Sequence, residues 1–348
     1  MLSLLARGYA QAMRIREAAY IRGGISSWRP PAPCISVGNI SWGGSGKTPL
    51  CSWIMRWCLD RGLRPALLTR GYGARPGYLP YVVNTNSPVN AAGDEPLMLA
   101  RENAKAQVLV DPRRSRAGRL AWRAWKPDVY ILDDGFQHLA VQRDIDIVLL
   151  RSRDMAQDWN RVIPSGPWRE GAAALQRASA IVINAPPDTA EENTRLVQTR
   201  LSGRSLPVFH CSYWVTGLRR VQDDRPVQPV ANSLLVSAVG SPEGVEASAA
   251  QILPGPPLAH LRFADHHAYT ASDWTKIVGQ AESLGAQCIV CTPKDKVKLE
   301  PFADARLCVM DVDLWWPAPL RGEHIFAHWL EQEVDRFCKQ PIRKRDKK

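Results

Sequence analysis

Short apolar runs recur along the chain, each closed by glycine or by a charged or small polar residue. The runs at 35–37, 65–69, 108–110, 129–132, 145–150 and 180–184 read as buried strands, and helical spacing fills the stretches between them. Strands alternating with helices predict an α/β fold with a mostly parallel sheet covered by helices. The pattern pauses at 219–232, RRVQDDRPVQPVAN, a polar segment with two prolines that suits a linker or hairpin. It then restarts. Segments 234–240, 287–291 and 306–310 read as strands, 244–252 as a helix and 324–337 as a terminal helix. The expected organisation is a basic amphipathic helix at 1–28, a nucleotide-binding domain at 29–218, the linker, a smaller α/β lobe at 233–337 and a basic tail at 338–348.

In the first segment Leu2, Leu4, Leu5, Tyr9, Met13 and Ile15 are interleaved with Arg7, Arg14, Arg16 and Arg22. Such a helix can pack on its own domain. It can also lie on an anionic membrane, with arginines attracting headgroups and leucines inserting shallowly. No apolar run reaches the roughly 18 residues of a spanning helix, and the N-terminus lacks the pattern of a signal peptide. Nothing is therefore expected to span a membrane.

The 348 residues suffice for two domains or one large one, and the 45% apolar fraction supplies a core. The net charge of +11 favours anionic partners without choosing among nucleic acid, lipid and phosphorylated substrate. Most of the eight cysteines lie in apolar runs. Cys288 and Cys291 have no second pair at ligand spacing, so reduced, buried thiols are expected rather than zinc.

The strongest chemical signal is CISVGNISWGGSGKT at 34–48. An apolar strand runs into a glycine turn, then Lys47 and Thr48, then a helix. Glycines let backbone N–H groups close around phosphate oxygens, and the helix N-terminus adds its positive end. Gly43, Gly44, Ser45 and Gly46 are the expected cradle. Lys47 would reach the terminal phosphates, and the Thr48 hydroxyl would ligate Mg²⁺. The strict G-x-x-x-x-G-K-T spacing needs glycine at 41, where this chain has Ser41. The strand ending in Asp133-Asp134 is the expected partner carboxylate element for Mg²⁺.

Other candidates are weaker. Arg70-Gly71-Tyr72-Gly73 stands at a strand end, where ligands collect in open α/β sheets, though a plain turn fits its spacing equally well. Asp94 and Glu95 open a helix, where carboxylates complement the dipole or serve as a base. Arg113, Arg114 and Arg116 form a solvated basic face or a phosphate-reading cluster. Of these, Arg114 is the candidate for a catalytic part. His266 and His267 suit a loop better than a metal pair.

The motifs GNISWGGSGKTP (38–49), RGYG (70–73), GDEP (93–96), LDDGFQH (132–138), PSGPWRE (164–170), SAVGSPEGV (237–245), ADH (264–266) and KD (294–295) together resemble the tetraacyldisaccharide 4′-kinase family, the lipid A 4′-kinases. The family's own phosphate loop resembles this one at Ser41. Pro293 stands where the resemblance leads one to expect an acidic residue. The resemblance implies a P-loop kinase using ATP and Mg²⁺ to phosphorylate a tetraacylated glucosamine disaccharide 1-phosphate. It implies a peripheral protein on the cytoplasmic face of the inner membrane, against its anionic surface; a monomer is expected, though the sequence itself does not set the oligomeric state. By resemblance Asp94 is the general base, His266 its partner from the second lobe, and Glu170 a further metal ligand. Two other classes compete: a nucleotide-dependent switch and a nucleic-acid-dependent ATPase. Adjacent Lys294 and Asp295 break the guanine-reading spacing of the first. Strand-end arginines argue for one small phosphate site over nucleic acid.

Overall fold

The structure, a computed structural model, describes residues 2–338, so the expected basic tail lies outside the described residues except for Cys338. Strands in chain order are β1 Cys34–Asn39, β2 Pro65–Thr69, β3 Tyr81–Val83, β4 Gln107–Val110, β5 Val129–Asp133, β6 Ile145–Arg151, β7 Ala180–Asn184, β8 Val208–Arg220, β9 Pro226–Val227, β10 Ser233–Ser237, β11 Ala259–Arg262, β12 Cys288–Cys291 and β13 Leu307–Trp315. They form a single 13-stranded sheet in the order β11-β10-β12-β13-β8-β7-β6-β1-β5-β2-β4-β3, with β9 paired to β8.

β1 lies between β5 and β6 with every pair parallel, so the carboxyl ends of the central strands share one edge. All six residues of β1 are buried, as a strand covered on both faces requires. The two lobes are not separated by a flexible linker. The first residues of β8 pair in parallel with β7, and its later residues pair antiparallel with β13. One strand thus belongs to both lobes. The expected hairpin is present as the β8–β9 turn, inside this shared ribbon.

The terminal helix Phe326–Cys338 departs from expectation. It packs on the larger, N-terminal lobe, where Phe326, Trp329, Leu330 and Val334 join one core with Ile35, Leu50, Ile54 and Leu97. Phe326 stacks on Trp316 at 4.1 Å and tilts against Trp53 at 5.4 Å. Each such buried side chain contributes roughly 1.5–3 kcal/mol. The smaller lobe therefore ends with β13.

The N-terminal helix spans Leu2–Ile21. Tyr9 and Ala10 pack against the core around Phe136 and Leu175, and Glu17 pairs with Arg177 at 2.8 Å. Leu2, Leu4, Leu5, Ile15 and Ile21 remain exposed. The helix stops well short of residue 28, because Trp28 is buried against Tyr130 and bridged to Val141. Among the described residues no helix is long and apolar enough to cross a membrane.

Candidate active site

A cleft of about 2080 Å³ runs between the lobes, and loop 43–48 lines it beside Asp94, Asp133 and His266. The loop is held open by its neighbours. Asn39, at the end of β1, donates from Nδ2 to the Ser41 carbonyl at 2.7 Å. Asn184, at the end of β7, donates to the Ser45 carbonyl at 3.1 Å. Gly46 precedes the helix Lys47–Asp60 with φ 91°. A Cβ there would strike the Asn184 side chain and the Tyr213 hydroxyl, so sterics and backbone both demand glycine. Ser41, where strict spacing would place a glycine, is buried and bridged to Trp168. The helix begins at Lys47, so its first N–H groups face the cradle.

The two aspartates after β5 differ. Asp133 accepts from the Thr69 hydroxyl at 2.7 Å. Burial pushes its carboxyl up to about 6, and the Glu95 and Asp134 carboxylates push the same way. Asp134 sits at φ 48°, with Lys47 Nζ at 3.5 Å and Arg169 Nη1 at 3.0 Å. Burial would raise its pKa, but Lys47 and Arg169 outweigh that and hold it below the usual range. Thr48 Oγ1 donates to Glu95 Oε2 at 2.7 Å. Thr48 and Asp133 both line the cleft and offer hard-oxygen donors. Mg²⁺ typically takes one or two carboxylates together with phosphate oxygens, and Thr48 with Asp133 fits that share.

Two expected residues do not reach the cleft. Glu170, expected at the metal, is buried with both oxygens accepting from Arg177 Nη2 at 3.0 Å. Its charge is already satisfied, and it does not line the cleft. Its neighbour Arg169 does, on Asp134. Arg114, expected in catalysis, is buried with its guanidinium on the Pro112 and Asp133 carbonyls at 3.3 and 3.5 Å. It braces the end of β5.

Asp94 and His266, 172 positions apart, meet across the lobes. His266 Nδ1 lies 2.9 Å from Asp94 Oδ2 and 3.2 Å from Oδ1. Gly93, at φ 84°, turns the chain into the helix Asp94–Glu102. Burial would raise the Asp94 pKa, but the His266 bond, Lys294 and Lys298 together hold it low. His266 sits at φ 61°, with Tyr72 against its ring at 5.2 Å. His267 instead bonds Asp273 at 3.1 Å and stacks on Phe263. Pro293 opens the helix Pro293–Leu299 after the Thr292 cap, a place that suits proline and carries no acidic group into the cleft.

Sequence reasoning missed several contributors. Thr69 on Asp133, and Asn184 and Tyr213 beside the loop, are single residues at strand ends or within a long strand, with no local motif. Arg169 had a signal: it stands in the stretch PSGPWRE, next to the Glu170 that the resemblance offered.

A model of the family described as tetraacyldisaccharide-1-P 4′-kinase matches residues 1–335. The tetraacyldisaccharide 4′-kinase of Nitratidesulfovibrio vulgaris is 43% identical over 338 residues, 96% of this chain and 94% of the relative. That of Bordetella parapertussis is 34% identical over 314 residues, 90% of this chain and 87% of the relative. Among solved structures, the "apo" form LpxK from Aquifex aeolicus in complex with ATP superposes with a TM-score of 0.71 at 23% identity, covering 96% of this chain and 97% of that one.

Proposed function

This chain belongs to the tetraacyldisaccharide-1-P 4′-kinase family, and we propose that it transfers the γ-phosphoryl group of ATP to the 4′-hydroxyl of a tetraacylated glucosamine disaccharide 1-phosphate. The product is the bis-phosphorylated lipid A precursor. The observation that carries this reading is the Asp94–His266 bond standing over the same cleft as the phosphate loop. A base fixed there can take a sugar hydroxyl's proton as the phosphoryl group arrives.

Each residue has a task in this reading. The backbone of 43–48 and Lys47 bind the phosphates. Thr48 and Asp133 would hold Mg²⁺, which would supply charge neutralisation on the phosphate oxygens. Asp134 and Arg169 fix Lys47. Asp94 receives the 4′-hydroxyl proton, and His266 orients its carboxylate. Incubation with γ-labelled ATP and the disaccharide 1-phosphate lipid should move label to the lipid. ATP turnover stimulated by nucleic acid, with no labelled lipid, would overturn the reading.

The acceptor carries acyl chains, so the enzyme works as a peripheral protein at an anionic bilayer, the cytoplasmic face of the inner membrane. Exposed Leu2, Leu4 and Leu5 support this docking, with arginines nearby. Removing residues 1–28 would also remove buried Trp28 and the Glu17–Arg177 pair. The cleaner test replaces Leu2, Leu4 and Leu5 by Gln. Binding to phosphatidylglycerol vesicles should fall several-fold and weaken further with salt, with Tm unchanged. Unchanged flotation would leave the helix a packing element only.

A further inference from the structure

Lys294 is a cation that the phosphoryl-transfer scheme above leaves without a task. It lies on the first turn of the helix Pro293–Leu299, and its side chain is only 15% exposed. Its ammonium donates to Asp265 Oδ1 at 3.0 Å, meets His266 Nε2 at 3.2 Å, and pairs with Glu95 Oε1 at 3.2 Å. Glu95 in turn accepts from Thr48. A polar chain thus runs from the phosphate loop through Glu95 and Lys294 to His266 and Asp94.

The donor rules fix the imidazole. A carboxylate only accepts, so Nδ1, facing both Asp94 oxygens, carries a hydrogen. An ammonium only donates, so Nε2, facing Lys294, presents its lone pair. His266 is then neutral and protonated at Nδ1. An imidazolium would set an Nε2–H against the ammonium, donor to donor and like charge to like charge.

The groups around the ring pull in both directions. The hydrogen bond to Asp94 raises the His266 pKa, burial and Lys294 lower it, Asp265 raises it, and the net direction is upward. Asp265 Oδ1 is 3.8 Å from Nε2, Lys298 Nζ stands 3.8 Å from Asp94 Oδ2, and the Tyr72 ring covers one side. Among the described residues, Lys294 is the one cation in direct contact with Nε2.

We propose that Lys294 is a positioning residue for the general base: it holds His266 as the neutral Nδ1–H tautomer and ties the Asp94–His266 pair to the phosphate loop through Glu95. The proposal deepens the kinase reading and rests on Asp94 as its base. With His266 neutral, Asp94 keeps its full charge for the substrate proton. With His266 cationic, that charge is shared with an ion pair and the carboxylate is a weaker base.

The test has two arms. In the first, full-length protein with ¹⁵N-labelled histidine is read by NMR at pH 8, with His266→Gln assigning the signal among the seven histidines. Wild type should show an unprotonated Nε2, and Lys294→Met should move that signal toward the protonated range as the pH is lowered, at a higher pH than wild type. In the second, kcat is measured against pH at saturating MgATP with the disaccharide 1-phosphate lipid. Lys294→Met should lower kcat about 10–100-fold and shift the acid limb to higher pH, because loss of the opposing charge raises the His266 pKa. Lys294→Arg, which keeps the charge, should restore the limb. A wild-type Nε2 that is protonated at pH 8 overturns the proposal. So does a Lys294→Met variant that loses rate with limb and Nε2 signal unmoved. The NMR arm needs no lipid, so failure of the acceptor assignment would show only in the second arm.

Discussion

The two halves of the cleft handle negative charge in opposite ways. At the phosphate-loop end, Asp133 has its carboxyl pushed up to about 6 by burial and by nearby carboxylates. At the lobe seam, Asp94 is also buried, yet His266, Lys294 and Lys298 hold its pKa low. Asp134 at the same end as Asp133 is held low by Lys47 and Arg169, so it is Asp133 that is electrostatically incomplete and gains from a cation arriving with the nucleotide. The second half is complete before any ligand binds. A metal site benefits from unspent charge, whereas a general base benefits from a carboxylate already ionised and oriented.

The largest effect should come from breaking the completed half. Asp94→Ala should lower kcat by roughly 10²–10⁴-fold, the usual scale of general acid–base assistance, with little change in ATP affinity. If Asp94 and His266 act as one unit, the double variant with His266→Ala should be little worse than Asp94→Ala alone. Additive losses on kcat would assign His266 to binding instead. Next in size is Lys47→Ala, which should cost about 10²–10³-fold by removing a donor aimed at the transferred phosphate. It should leave the His266 NMR signature unchanged, because among the described residues Lys47 pairs with Asp134 and no contact links it to the seam directly. A near-normal rate at saturating MgATP would remove Lys47 from the phosphate site.

The same contrast explains what could be read from the sequence. The strand, turn and helix start at 34–48 and the strand ending at Asp133 were legible because they are local and follow from contiguous residues. The sheet was legible from its apolar runs, but the shared strand was not. Nothing in 208–220 says that one half pairs with β7 and the other with β13, since pairing partners lie far away in sequence. The terminal helix was misplaced for the same reason: its amphipathic face fits either lobe, and the Trp53–Trp316–Phe326 stacking decides. Asp94 with His266 came from resemblance alone. Lys294 and Glu95 stood in motifs read for other purposes, and only folding shows that they touch.

The smallest expected effect tests the contrast without any substrate. Asp133 has a folded-state pKa above its ordinary 3.8. The folded protein therefore binds the extra proton between about pH 4 and pH 6, and stability falls as pH rises through that window. Asp133→Asn removes the ionisable group while keeping an acceptor for Thr69. The variant should match wild type near pH 4 and exceed its Tm above pH 6 by roughly 2–4 °C, measured without nucleotide. Its gain in Tm on adding MgATP should then be smaller than wild type's. Asp94 should give the opposite sign, because its folded-state pKa is depressed. Its contribution is present above the ordinary value of 3.8 and is lost as pH falls through the lowered pKa, so Asp94→Asn should be the less stable protein at neutral pH, with the gap closing in acid. Two isosteric substitutions in one cleft would then shift Tm in opposite directions. Parallel shifts would mean that both carboxylates are equally compensated and that the asymmetry between the halves does not exist in solution.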